Sequence, residues 1–153
     1  MRIGLISDTH GLLRPEAVAF LRGADRIVHA GDICDPSIVE ALERIAPTAA
    51  VRGNNDHGPW ARAVPETLRL VFEGIALHVL HDLARLDIEP ASAGVRVVVS
   101  GHSHQPLVRE QGGVLYVNPG SAGPRRFRLP ITAGELQIEG ARVAARTVVL
   151  VPG

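Results

Sequence analysis

The stretch whose reading decides the fold is VVVSGHSHQP, Val97–Pro106. A run of β-branched apolar residues stops at Gly101, and His102 and His104 follow with one residue between them. A short continuous apolar run of this kind reads as a strand buried on both faces. A single histidine after it would need no comment. Two at this spacing, in a turn containing Gly and Ser, are a pattern that metal sites use.

Working outward, other strands end in the same way. RIGLIS (Arg2–Ser7) runs into Asp8 and His10. RIVHAG (Arg26–Gly31) runs into Asp32. TAAVRG (Thr48–Gly53) runs into Asn54, Asn55 and Asp56. The second half of TLRLVFEGIALHVLH, a hairpin around Glu73-Gly74, ends at His81. Five strand ends therefore deliver oxygen- or nitrogen-bearing side chains, and ligands of open α/β sheets bind outside the carboxyl ends of the strands. Gly31, Gly53 and Gly101 sit beside three of these groups, where backbone must come close to the site. Taken singly, each feature has a bland explanation, a turn Asp or a strand-end His with a backbone partner. Their joint occurrence, in order, is what points to a metal site.

Between the first strands lie two helices. In RPEAVAFLRG, Pro15 stands early and Gly23 late. In DPSIVEALERI, Asp35 is the N-cap, Pro36 fills the first turn, and Ile38, Leu42 and Ile45 share a face. This β-α-β-α-β opening implies a parallel sheet with right-handed crossovers. Further hairpins are expected around Gly112-Gly113 and Glu139-Gly140. The β-rich second half calls for two sheets packed face to face with helices outside, all in one domain, residues 1–153.

Composition narrows the function. The chain has 153 residues, 46% of them hydrophobic, with 16 basic against 16 acidic side chains. That is enough for a real core, and no polybasic run points to an extended nucleic-acid surface. Every cation is Arg, so Schiff-base and P-loop lysine chemistry is excluded. Cys34 is the sole cysteine, which fits a reducing compartment and rules out an intrachain disulfide. No apolar run is long enough to span a membrane, and MRIGLIS is no signal peptide, so a soluble, cytoplasmic protein is expected.

The ordered set D-x-H … G-D … G-N-x-D … H … G-H-x-H resembles the calcineurin-like metallophosphoesterases. It resembles most their small YfcE/MJ0936-type phosphodiesterases, a subgroup that includes the retromer subunit Vps29. The likeness runs from GLISDTHG to YVNPGSAGPR. It implies a four-layer α/β/β/α sandwich of two mixed β-sheets flanked by helices. It assigns one divalent metal to Asp8, His10, Asp32 and His104, and a second to Asp32, Asn54, His81 and His102, with Asp32 as the bridge. On this reading His102 and His104 face different metals, an extended turn turning Ser103 away. Mixed N and O ligands suit Mn²⁺ first, and also Ni²⁺, Fe²⁺ or Zn²⁺. Two such ions roughly 3.5–4 Å apart suit in-line displacement at phosphorus by a bridging hydroxide. Two dications, two carboxylates and one hydroxide leave roughly +1, which favours an anionic phosphoester, and the Asn54 amide adds no charge. Asp32, Asn54 and His102 are the expected catalytic groups.

Two departures stand out. Protein phosphatases of the superfamily have His after the metal-binding Asn, a donor to the leaving group; Asn55 stands here and cannot replace it, with His57 a second candidate. HDL at His81 differs from the HG common in relatives. His29 and His78 lie within strands and read as core, and Cys34 as packing. Asn118 and Gly120 read as shaping a loop near the metals. Arg125 and Arg126 are candidate phosphate clamps. The expected activity is a metal-dependent phosphoesterase acting on a small phosphoester, phosphodiesters before monoesters. The alternatives are a protein-binding scaffold on the same fold and a phosphomonoesterase. Natural substrate, physiological metal and oligomeric state, a homo-oligomer included, stay open.

Overall fold

The computed structural model describes residues 1–153. The first half forms β1 (Arg2–Ile6), α1 (Pro15–Leu21), β2 (Arg26–His29), α2 (Pro36–Glu43), β3 (Thr48–Ala50) and α3 (Pro59–Arg62). The second half is β4 (Thr67–Phe72), β5 (Ile75–Leu80), a 3₁₀ turn (Leu83–Arg85), β6 (Val95–Val99), β7 (Leu107–Gln111), β8 (Val114–Asn118), β9 (Ile131–Glu139) and β10 (Arg142–Val151). The hairpin turns fall where the glycines placed them. Asp35 caps α2 as expected, its carboxylate accepting from the Ser37 N–H at 2.9 Å.

Two five-stranded mixed sheets result, in the orders β10-β9-β1-β2-β3 and β4-β5-β6-β8-β7. In the first, β1, β2 and β3 are parallel and β9 and β10 return antiparallel. In the second, β5, β6 and β8 are parallel, with antiparallel hairpin strands at both edges. The parallel strands of each sheet end toward the same rim, because the crossovers force it.

Burial on both faces explains the unalternated strands. Ile3 and Leu5 of β1 meet Leu77, Val79, Val97 and Val99 of the second sheet in the inter-sheet core. Ile6, on the other face, packs with Leu21, Ile27, Ile38 and Leu42 beneath the helices. Outside the second sheet the fourth layer is thin. The 3₁₀ turn and the loop through Ile88 cover Leu80, Val95 and Val98. Glu135 of β9 joins three strands, accepting from Arg2 Nε and Arg146 Nε. Burial acts to raise its pKa, and the two guanidinium groups outweigh that and hold it low. No helix is long and apolar enough to cross a membrane.

His29 is wholly buried at the end of β2, as read from the sequence. Its Nδ1 accepts from the Gly31 N–H at 3.1 Å, and Nε2 meets Thr9 Oγ1 at 2.9 Å. Burial depresses its pKa from 6.5 to about 4. The unfolded chain therefore takes up this proton at a higher pH than the folded one. The His29 contribution is complete above pH about 6.5 and is lost as pH falls toward about 4, roughly 3 kcal/mol in all. In chelator-treated protein, denaturant titrations at pH 7 and pH 4 should show that difference shrinking by about this amount in His29→Asn; an unchanged difference would refute the assignment. Leu77→Ala opens a cavity between the sheets and should cost about 3 kcal/mol of unfolding free energy, read from urea midpoints.

Candidate metal centre

The rim where the parallel strands end gathers all seven residues singled out in the sequence. Asp8 and His10 follow β1, Asp32 follows β2, Asn54 follows β3, His81 follows β5, and His102 and His104 follow β6. The Asp8 Oδ1 atom lies 3.4 Å from His104 Nε2, 3.8 Å from His81 Nε2 and 3.9 Å from His10 Nε2. Asp32 Oδ2 lies 3.5 Å from His10 Nε2 and 3.3 Å from His81 Nε2. One carboxylate oxygen thus stands between two imidazoles that belong to different halves of the cluster. The rings divide the same way: His10 pairs with His104 at 5.5 Å between centroids, and His81 with His102 at 5.2 Å. His102 Nδ1 meets Asn54 Oδ1 at 3.2 Å.

The fit to a metal can be tested on the polar atoms themselves. Asp8 Oδ1, His10 Nε2 and His81 Nε2 are buried and make no hydrogen bond. Leaving such groups unpaired is costly, and here the unpaired atoms converge. The ligand atoms of Asp8, His10 and His104 lie within 4.8 Å of one another, as do those of Asp8, Asp32 and His81. These side chains can hold divalent cations.

Three of the ligands, Asp8, His81 and Asp32, are fastened by hydrogen bonds. Asp8 Oδ2 accepts from Ser7 Oγ at 2.7 Å and from the His102 N–H at 3.1 Å. His81 Nδ1 donates to the Ala30 carbonyl at 2.7 Å, which leaves Nε2 as the lone-pair nitrogen facing the cluster. Asn55 holds both oxygens of Asp32, its N–H at 2.8 Å from Oδ1 and its amide Nδ2 at 2.9 Å from Oδ2. The glycines carry out their expected task. A Cβ on Gly101 would collide with Ser7 Oγ and Asp8 Oδ2, and one on Gly53 with Asp32 Oδ1.

Charge follows from this packing. Burial acts to raise the Asp8 and Asp32 pKa values, but hydrogen bonds and neighbouring imidazoles outweigh it and hold both below the ordinary carboxylate range. Burial would lower the His81 pKa, and Asp32 and Asp8 outweigh that and raise it.

Three groups were not foreseen in these roles. Asp56 is buried, and its Oδ2 accepts from the Asp32 and Gly53 N–H groups at 3.1 and 2.7 Å while Oδ1 accepts from the Cys34 N–H at 2.7 Å. It pins two ligand loops together, and its place as the final D of G-N-x-D was the available signal. Ser121 Oγ donates to the Asp8 carbonyl at 3.1 Å. Ser7 has the role described above. Asn118 shapes the last ligand loop as read from the sequence, donating to the Gly101 carbonyl at 2.9 Å and to Ser103 Oγ at 3.0 Å.

Some expectations are corrected. The H-S-H turn is not extended: His102 and His104 both have left-handed backbones, φ 73° and 63°, and that conformation separates their rings. His57 is exposed and shares no hydrogen bond or ion pair with the seven. Arg125 is occupied by the Leu129 and Pro152 carbonyls at 3.0 and 2.7 Å, so it closes its own loop. Cys34 lies 3.6 Å from His10 Nδ1, and burial with the nearby carboxylates of Asp56, Asp32 and Asp8 pushes its thiol up to about 11, which fits packing.

Comparison with known proteins agrees with this geometry. Residues 1–141 match the calcineurin-like phosphoesterase superfamily domain. The chain belongs to that superfamily. A probable metallophosphoesterase of Methanothermobacter thermautotrophicus is 35% identical over 161 residues, covering 97% of this chain and 92% of the relative. The phosphodiesterase YfcE of Escherichia coli strain K12 is 27% identical over 175 residues, covering 95% and 92%. The structure of Chaetomium thermophilum Vps29 superposes with a TM-score of 0.79 at 19% identity, covering 100% of both chains, a likeness of fold. Within this calcineurin-like framework Asn55 is spent on orienting Asp32. Asn55→Ala removes the side-chain contact to Asp32 Oδ2 and keeps the backbone one to Oδ1, and should weaken Mn²⁺ binding by about tenfold in calorimetric titrations, with little change in the melting temperature of the chelated protein. Unchanged affinity would show that Asp32 needs no such support.

Proposed function

We propose that the chain is a single-domain, binuclear metal-dependent phosphodiesterase. The observation that carries the reading is the set of buried, unpaired ligand atoms of Asp8, His10 and His81 converging beside Asp32. Asp8, His10, Asp32 and His104 would hold one divalent ion, and Asp32, Asn54, His81 and His102 the other. Mn²⁺ is the first choice, with Ni²⁺, Fe²⁺ and Zn²⁺ also suited to these donors. When bound, such ions supply Lewis acidity and an activated water for attack at phosphorus.

The chain's own residues do the rest. Asp32, clamped by Asn55, keeps one oxygen between the two halves of the cluster. Asp8 is held ionised by its hydrogen bonds and fixes the first half. Asn54 contributes an oxygen without adding negative charge, so an anionic ester is not repelled. His102 is exposed at the mouth with Nδ1 beside Asn54 Oδ1, where it would help hold the second ion close to the non-bridging phosphoryl oxygens on which charge develops. With the Asn55 amide engaged by Asp32, no side-chain acid is assigned to the leaving group, which favours diesters with good leaving groups.

A scaffold role, which the likeness to Vps29 allows, leaves the unpaired buried ligand atoms without a purpose. The phosphodiesterase of E. coli among its relatives also favours the enzyme. The test is to strip the protein of metal and reload it with Mn²⁺, Ni²⁺ or Zn²⁺. It is then offered bis(4-nitrophenyl) phosphate and 4-nitrophenyl phosphate. Turnover of the diester ahead of the monoester is expected, with kcat/KM falling at least about 100-fold in Asp32→Asn and His104→Ala. Folded wild-type protein that is inactive under every metal would instead support the scaffold.

A further inference from the structure

One side of the sandwich is open. The first sheet ends there on β10 and the second on β7, and these two edge strands come together. Of the six large hydrophobic side chains that are exposed, three, Leu107, Val108 and Val149, lie on these strands. Cross-strand partners share a face of their sheet. Val108 stands opposite Val117 of the inter-sheet core, and Val149 stands opposite Thr132, on the face of β9 that also carries Leu136 and Ile138 of that core. Both valines therefore sit at the open margin of the inter-sheet core.

The β10 edge is long and poorly defended. The other edge strands, β3, β7 and β4, have three, five and six residues; β10 has ten, none of them buried. Natural proteins protect edges with lysine, proline, inward-pointing charge or bulges, because a bare edge recruits another strand. β10 contains no Lys, Pro, Asp or Glu. Arg146 is drawn to Glu135 of the neighbouring strand, and the one bulge comes late, between Val149 and Val151.

The sequence of β10 selects its partner. Ala144 and Ala145 stand in its first half, Val148, Val149 and Leu150 in its second. A two-fold axis normal to the sheet sets a copy antiparallel and preserves the faces, so each residue meets one of the same parity. With the axis at Ala145, alanine faces alanine and Val149 falls opposite Ala141, before the strand begins. With the axis at Arg146, two guanidinium groups are opposed. With the axis at Val148, the central pairs include the bulged Leu150. With the axis at Thr147, Val149 of each copy meets the small Ala145 of the other, Arg146 meets Val148, and the two threonines form a favourable cross-strand pair. We infer that β10 is a dimer interface, pairing antiparallel with β10 of a second copy about an axis at Thr147, so that two five-stranded sheets become one of ten strands. β10 runs parallel to β1, since both are antiparallel to β9, and so ends at the rim that carries the metal ligands. The antiparallel copy turns its own rim the opposite way. The two metal centres stay open and share no residue, and the dimer forms without metal.

Sedimentation equilibrium of the chelated wild-type protein at about 100 μM should give twice the chain mass, unchanged by added Mn²⁺. Val149→Lys places a charge on the edge and should give the mass of one chain at the same concentration, with the circular dichroism of the wild type. Disulfide formation reads the register. In a Cys34→Ser background, oxidised glutathione should join Thr147→Cys to its copy, because opposed Cα atoms lie about 4.5–5.5 Å apart. Val149→Cys should stay unjoined, its two copies being about 14 Å apart along the strands. A monomeric wild type overturns the inference, whether or not its edge takes up an extended peptide of other sequence. A folded Val149→Lys that remains dimeric also overturns it, as does cross-linking at 149 in place of 147.

Discussion

Two carboxylates, Asp8 and Asp32, are buried at the ends of neighbouring parallel strands, with ligand atoms within 4.8 Å of each other and of His81. Like charges so close in a poorly solvated place are unfavourable unless cations answer them. Much of the surrounding structure serves this one constraint. Ser7, Asn55 and the backbone N–H of His102 bind the carboxylate oxygens. Asp56 ties the loops together from beneath, and the imidazoles of His10, His81 and His104 close the cluster from above. A cluster that keeps its anions ionised and its lone pairs unpaired is arranged for divalent ions, and the superfamily to which the chain belongs uses them.

The arrangement is held at a conformational cost. Five of the seven clustered residues, Asp8, His10, Asp32, His102 and His104, have positive φ, which non-glycine side chains adopt at a cost of about 1 kcal/mol or more each. Such strain persists because buried strands on both sides fix where the loops start and end. The inter-sheet core around Leu77 and Val97 and the helix-side core around Leu21 and Leu42 are separate clusters, and the site lies at the rim of the sheets they sandwich. Stability is thus invested in the strands, and the loops inherit a geometry they could not keep alone.

Much of this was legible in the sequence, for physical reasons. Buried strands are unbroken apolar runs, hairpin turns are marked by glycine, and Asp35-Pro36 announces a helix start. The cluster was legible because each ligand follows a strand end. Other features were hidden because they depend on contacts distant in the chain. Nothing local shows that β9 enters the first sheet beside β1, with Leu5 opposite Gly134. The role of Asn55 emerges only once Asp32, 23 residues away, is beside it. The H-S-H turn read as extended because alternation is the simplest way to separate two rings; the left-handed backbone achieves the separation differently. The thinness of the fourth layer was hidden because Leu83, Leu86 and Ile88 lie on one short 3₁₀ turn and the loop after it, and the strands they cover are fixed elsewhere in the chain.

The central claim is that the cluster holds two cations with Asp32 between them. Anomalous diffraction from crystals of the Mn²⁺-loaded protein, collected near the manganese edge, addresses it directly. The account predicts two peaks roughly 3.5–4 Å apart, one beside His10 and His104, the other beside His81 and His102, with an oxygen of Asp32 bonded to each. A single peak, or two peaks of which Asp32 reaches only one, would contradict it.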